Sequence, residues 1–239
     1  DPDNITYYPD YYVQNPEMHP MEYLAQSIMP DRSWCEGVVG MEMDNYYFSA
    51  KAYQSLIKEM PHARFQDANA LVNWCRAIKS PREIEYMRIA ARIVEGMHSR
   101  ILEMIEPGLA KSKLVSEIYR VGIEGWTDSE GRVYGGDYPA IVPLLPSGSD
   151  AAAPHLTWDG EPFRKGEATF FEISGCFRRF FITVHIAVTP TQTHQAFRVV
   201  RVDFKSPQHA GFCIFESIER DQIERGVLQV DSAPVAAAA

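Results

Sequence analysis

Ser80-Pro81-Arg82-Glu83 marks the start of a helix more firmly than any other tetrapeptide in this chain. A serine at the cap accepts from the backbone N–H three residues on, and a glutamate there reaches back to the cap. Proline suits the first helical position, where its missing N–H would go unused. From that cap Ile84, Met87, Ala91, Val94, Met97, Ile101 and Ile105 recur at helical period until Pro107-Gly108, with Arg82, Glu85, Arg88 and Arg92 largely on the opposite face. So long an apolar stripe must be covered, and the residues downstream have to cover it. A second amphipathic helix over Lys113–Tyr119 offers Leu114, Val115 and Ile118 to the same core. The glycine-rich, acidic stretch Trp126–Gly136 reads as a loop, and two strands are expected at Pro139–Leu145 and Ala168–Ile173. This order predicts an α+β domain over residues 78–181.

The residues before the cap alternate differently. After His19-Pro20, Met21, Leu24, Ala25 and Ile28 predict a short helix. Val38–Glu42 then reads as a strand, Phe48–Met60 as a helix, Phe65–Ala68 as a strand and Ala70–Trp74 as a helix. Such alternation predicts an α/β layer with a partly parallel sheet over residues 1–77, with a core thin enough to be most of a domain rather than a whole one. After Phe181 the character changes. A strand, a loop and a strand fit the first part, a short helix is expected within 206–226, and the chain runs out in alanines. Residues 182–239 are therefore set apart as a divergent tail.

Bulk properties exclude several classes. A net charge of −9 is wrong for a nucleic-acid surface, which needs a concentrated basic face. No apolar run approaches the ~20 residues that span a bilayer. With no secretory signal in the sequence, and with Cys35, Cys75, Cys176 and Cys213 scattered and forming no CxxC pair, reduced thiols and a cytoplasmic location are expected.

The chemistry concentrates between Tyr134 and Cys176. His155 sits in Ala-Pro-His-Leu-Thr-Trp, ahead of the second strand, and Glu172 is the single carboxylate inside that strand's apolar run. A histidine and a partly buried glutamate at strand edges are what general acid–base chemistry uses. Each also has an ordinary alternative: a loop histidine, and a buried acid satisfied by backbone. Asp137 and Tyr138 are candidates to line a pocket, with an exposed turn acid as the plain alternative. Ser147-Gly148 reads as a turn former and Cys176 as a structural thiol. His185, His194 and His209 lack helix-ligand spacing and are not expected to form a metal site.

Several of these segments together resemble one family. Ile78-Lys79-Ser80-Pro81-Arg82-Glu83-Ile84, the Ser147-Gly148 … Pro154-His155 pairing and the Gly166-Glu167 strand start are similar to the creatinase, prolidase and methionine aminopeptidase superfamily of the pita-bread fold. Within it, MEMDNYYFSA (41–50), LVNWCRAIKSP (71–81), GGDYPAIVPLLPSG (135–148), APHLTW and FFEISGC resemble the ectoine hydrolases, over about Asp1 to Arg179. The resemblance implies an N-terminal creatinase-like domain, present in part, and the first half of a catalytic pita-bread domain, working as a homodimer. It implies ectoine as the small-molecule substrate, its cyclic amidine opened to N-acetyl-diaminobutyrate. His155 would be the general acid/base, Glu172 would activate water or attack the amidine carbon, and Asp137 and Tyr138 would contact substrate. Glu172 stands where metal-dependent relatives place a first aspartate ligand. They need a second acid on the next strand, and no Asp or Glu occurs between Glu172 and Asp203. No metal or other cofactor is therefore expected. The alternatives are a metal-dependent Xaa-Pro peptidase of the prolidase type and a non-catalytic remnant of the fold. Ectoine hydrolases carry a Cys-Pro-bearing segment just after the arginine pair. Codons for Phe181 to Ala187 can be chosen so that a shifted frame reads His-Tyr-Cys-Pro-His-Ser, so a frameshifted tail, and little turnover from the chain as written, are expected.

Overall fold

The structure, a computed structural model, describes residues 5–190, 198–202 and 215–218, the last two segments as backbone only. It divides between Lys79 and Ser80 into two compact units.

In the first unit, α1 (Pro20–Tyr23) starts at His19, whose Nδ1 accepts from the Met21 N–H at 3.1 Å. It widens into a π-helical turn over Leu24–Ile28 before α2 (Met29–Asp31). Pro30 has no N–H to continue an i→i+4 ladder, and a π turn at that point is one way the chain absorbs the loss. β1 (Gly37–Met41) pairs in parallel with β2 (Ala63–Asp67), and α3 (Ala50–Glu59) makes the crossover between them. Ser49 caps α3 by accepting from the Ala52 N–H at 3.1 Å. A short helix, α4 (Leu71–Cys75), follows β2. Ala25, Met29, Met41, Leu56 and Met60 form a small core. The predicted α/β layer and parallel pairing are both present.

The second unit opens with α5 (Pro81–Met104) and a complete capping box. Glu83 N–H donates to Ser80 Oγ at 3.3 Å, and the Ser80 N–H donates to Glu83 Oε2 at 2.7 Å. α5 stops two residues short of Pro107, which disfavours helical backbone in the residue before it. α6 (Lys111–Glu124) runs longer at both ends than Lys113–Tyr119. The stretch expected as loop folds back as a small hairpin, β3 (Trp126–Thr127) and β4 (Val133–Tyr134). Asp128 gathers that turn: its Oδ1 accepts from the Glu130 and Arg132 N–H groups, each at 2.9 Å. The Trp126 and Tyr134 rings stack at 5.3 Å across it.

The main sheet is antiparallel in the order β5 (Thr169–Phe177), β6 (Phe180–Thr189), β7 (Arg198–Val202), β8 (Phe215–Ile218). β6 passes through 181/182 without interruption. The helix expected within 206–226 is corrected at residues 215–218, which are strand; the rest of that span lies outside the described residues.

The expected strand Pro139–Leu145 is also corrected. Only isolated bridges form, Leu144 with Glu172 and Ser147 with Thr169. Pro139, Pro143 and Pro146 bring no N–H to a ladder, so a continuous ladder does not form, and Pro146 joins only through its carbonyl, which accepts from the Phe170 N–H at 3.0 Å.

The α5 stripe, Ile93, Val94, Met97 and Ile101, meets Leu114 and Ile118 of α6 and Phe171 and Ile173 of β5, all essentially sealed from water. Each such side chain contributes about 1.5–3 kcal/mol by burial. The close approach of α5 to β5 depends on Gly175, where an added Cβ would lie 2.6 Å from the Ala90 carbonyl oxygen and 2.7 Å from the Val94 nitrogen. Strand alternation then sends Phe170, Glu172 and Ser174 to the other face of the sheet.

Candidate active site

The site begins with a turn. Phe177 pairs with Phe180, leaving Arg178 and Arg179 as a two-residue connection with φ of 52° and 64°. Positive φ at both positions is the requirement of a type I′ hairpin turn. The register that follows sets Glu172 directly opposite His185. Directly opposed residues of an antiparallel pair share a face, and here His185 Nε2 lies 3.5 Å from Glu172 Oε1. Both side chains are largely buried, and the Phe170 ring lies 5.7 Å from the imidazole at an interplanar angle of 30°.

His155 comes from the other side of β5. After Ser147 the chain makes a 3-10 turn, Gly148–Ala152, and then the turn at Pro154-His155, where His155 takes φ of 60°. Its Nδ1 lies 3.5 Å from Glu172 Oε2, with the imidazole mostly in solvent. Each oxygen of one carboxylate therefore faces an imidazole nitrogen. These distances exceed a tight hydrogen bond and suit ion pairing with whichever imidazole is protonated. The Glu172 backbone is fixed as well: its N–H donates to Leu144 O at 3.1 Å, and its carbonyl accepts from Leu144 N–H at 3.0 Å.

His155 and Glu172, the predicted pair, are thus brought together. Asp137 and Tyr138 are not brought to them. The Asp137 N–H donates to the Cys176 carbonyl at 2.9 Å, and its Oδ2 accepts from the Arg179 N–H at 2.7 Å. Cys176 is four residues along β5 from Glu172, about 13 Å at strand rise. The Arg179 guanidinium lies 3.8 Å from the centroid of the Tyr138 ring.

His185 is the residue that the sequence reading passed over. Testing the histidines only for helix-ligand spacing hid a cross-strand partner. The available signal was the equal count on either side of the arginine pair, five residues back from Phe177 and five on from Phe180. His194 and His209 lie outside the described residues. Ser147 shapes the approach to His155, its Oγ 2.8 Å from Thr169 Oγ1 in a buried contact. Gly148 has φ of 59°, and a Cβ there would meet Glu167 Oε1 at 2.2 Å. Cys176 is buried, and that burial pushes its thiol pKa up, away from the nucleophilic thiolate. A separate polar cavity of about 190 Å³ includes Lys111, Asp159, Arg164 and Glu167 in its lining.

Paired divalent ions require several charged oxygens converging on one point. Glu172 is a single carboxylate whose two oxygens face imidazoles, and among the described residues no three His, Cys, Asp or Glu side chains are placed to hold a metal ion. The described residues do not fit a two-metal centre.

Residues 85–202 match metallopeptidase family M24. The chain is 75% identical over 196 residues to the ectoine hydrolase of Halomonas elongata, covering 80% of this chain and 49% of that protein. It is 33% identical over 196 residues to an uncharacterized hydrolase/peptidase of Sinorhizobium fredii, covering 82% and 48% respectively. Among solved structures, the X-Pro aminopeptidase of Thermotoga maritima matches with a TM-score of 0.57 at 14% identity, over 79% of this chain and 46% of that one. The prolidase of Thermococcus sibiricus gives 0.57 at 20% identity, over 80% and 46%. At such identities the structures speak for the fold alone, which is the expected pita-bread type. The chain spans about half the length of the curated relatives it matches.

Proposed function

We propose, from the match of residues 85–202 to metallopeptidase family M24, that the site of this chain serves a hydrolase of the ectoine hydrolase type, opening the cyclic amidine of ectoine to N-acetyl-diaminobutyrate. The 75% identity to an ectoine hydrolase carries this reading. The geometry is suited to it. A protonated amidine is a planar cation, and a largely buried carboxylate attracts it more strongly than one in bulk water would. Adding water to the amidine carbon forms a C–O bond. Glu172 takes the proton of that water, or attacks the carbon itself and is then released by water. Imidazolium His155 gives its proton to the departing ring nitrogen as the C–N bond breaks. His185, against the other carboxylate oxygen, fixes which oxygen reacts.

No metal or other cofactor takes part in the proposed reaction, because among the described residues the side chains facing the Glu172 carboxylate are imidazoles and no second carboxylate joins it. The proposal extends to a cytoplasmic homodimer. Cys35, Cys75 and Cys176 are free thiols, as a reducing compartment favours, and no described helix is long and apolar enough to cross a membrane. The dimer rests on the family resemblance. Incubation with ectoine at high enzyme concentration, followed by proton NMR, tests the activity: slow formation of ring-opened acetylated product is expected, since little turnover is expected of the chain as written, and ectoine left wholly intact overturns the reading. Stoichiometric manganese, cobalt or zinc in the purified protein overturns the metal-free part. Cleavage of Xaa-Pro dipeptides in place of ectoine opening marks a peptidase instead.

A further inference from the structure

The Arg178-Arg179 turn is made from residues poorly suited to it. Type I′ turns favour Asn-Gly and Asp-Gly, because a Cβ clashes with the backbone at positive φ. Two arginines, at φ of 52° and 64°, hold that conformation only if something outside the turn holds them.

That support comes from Asp137 and Tyr138. The Arg179 N–H points out of the ladder and donates to Asp137 Oδ2 at 2.7 Å. The Asp137 N–H is tied to the Cys176 carbonyl on the strand leading into the turn. The Arg179 guanidinium covers the Tyr138 ring at 3.8 Å and donates to the Tyr138 carbonyl at 3.4 Å. One dipeptide therefore grips both the last turn of the strand and the second residue of the connection. A three-residue connection, the next common hairpin loop, would pair Phe177 with Phe181 and shift β6 by one residue. A shift of one residue turns every side chain to the opposite face, sending His185 toward the helices and Ile186 out.

We propose that Asp137 is a positioning residue: it holds the two-arginine turn and, through it, the register that sets His185 against Glu172. Tyr138 assists by anchoring the Arg179 side chain. The pair acts on the reacting groups through the backbone of β5 and β6, without touching substrate.

The activity half of the test rests on the ectoine reading; the structural half does not. In the full chain, Asp137→Ala is expected to speed amide hydrogen exchange of β5 and β6 near the turn by about tenfold to a hundredfold, the loss of one charge-assisted hydrogen bond. Turnover should fall through kcat with KM little changed. Adding Arg178→Asn and Arg179→Gly to Asp137→Ala installs a turn that needs no outside support, and should restore both exchange protection and kcat. Exchange unchanged in Asp137→Ala, or a raised KM that the Asn-Gly turn fails to rescue, overturns the proposal, since no turn residue can replace a carboxylate that binds substrate. If Asp137→Ala does not fold, the triple variant decides: rescue of folding supports the turn-holding role, and continued failure overturns it. A wild-type chain that leaves ectoine untouched removes the ectoine reading, while the exchange data still decide the role of Asp137.

Discussion

Glu172 Oε1 and His185 Nε2 stand 3.5 Å apart across the β5–β6 ladder, the same carboxylate meeting His155 through its other oxygen. The two histidines are not equivalent, His185 being largely buried and His155 mostly in solvent. Glu172→Gln preserves shape and removes the charge. It should lower ectoine turnover by at least about 10³-fold while changing thermal stability by less than about 1 kcal/mol. His155→Ala should cost about 10²–10⁴-fold in kcat and His185→Gln about tenfold to a hundredfold, as loss of proton transfer and loss of orientation respectively. Steady-state kinetics beside thermal melts measure all three; unaltered turnover in Glu172→Gln removes that residue from the mechanism.

What the sequence disclosed follows how local each signal is. The capping box at Ser80 was legible because its partners lie three residues apart and need no tertiary context. The α3 helix and the α/β layer of β1 and β2 were legible for a similar reason, through hydrophobic period. His185 was not. Its role depends on register, register depends on the turn, and Arg178-Arg179 carries none of the Gly or Asn chemistry that announces a two-residue hairpin. Pro139–Leu145 misled in the opposite direction: its apolar content fits a strand, but its prolines deny it a ladder. Asp137 drew attention as a polar residue among glycines, and its hydrogen bonds to Cys176 and Arg179 depend on a chain return that composition does not reveal.

Lys111 Nζ is almost wholly buried and donates to both oxygens of Asp159 at 3.0 Å. Burial raises the Asp159 pKa, but the Lys111 ammonium and the Glu161 N–H together outweigh it, and the net shift is downward. A carboxylate held below its ordinary value adds stability at neutral pH, and that contribution is lost as pH falls through the folded-state pKa. Below about pH 4, wild type should therefore lose stability relative to Asp159→Asn, which has no such group to protonate. At pH 7, Asp159→Ala should cost about 2–3 kcal/mol, less than a fully buried pair because Asp159 stays 44% exposed. Urea melts at pH 3 to 7 read both; parallel pH profiles for wild type and Asp159→Asn would count against the pair.

Gly175→Ala is expected to destabilise the second unit by about 2–4 kcal/mol. The new methyl would meet main chain, Ala90 O and Val94 N, so no side-chain rotation relieves it. α5 has to lift from β5, opening the core around Ile93 and Ile173. Chemical denaturation measures the loss; a change within 0.5 kcal/mol of zero, on the ordinary scale of surface substitutions, would mean that the helix sits farther from the strand.

Thiol labelling separates the cysteines by burial. Cys75 is exposed and should react within minutes with an aromatic disulfide reagent at pH 8, whereas Cys176, sealed and with its pKa raised, should react only on unfolding. Peptide mapping by mass spectrometry assigns the labelled residue. Rapid native labelling of Cys176 would show that the Asp137 segment opens readily away from β5.

The broken strip from Pro143 to Ser147 bears on how the protein avoids self-association. β5 needs a neighbour on its free side, because an open strand edge recruits the strands of other molecules. A regular strand there would satisfy β5 and present a fresh edge of its own, passing the hazard outward. This strip bonds to β5 at Leu144 and Ser147, while the buried Pro143, next to Leu144 and so at an outward-facing position, has no N–H to offer any further strand. Intermolecular templating therefore ends one layer beyond Glu172, on the flank from which His155 approaches. Replacing Pro143 would restore an outward N–H and remove that terminator.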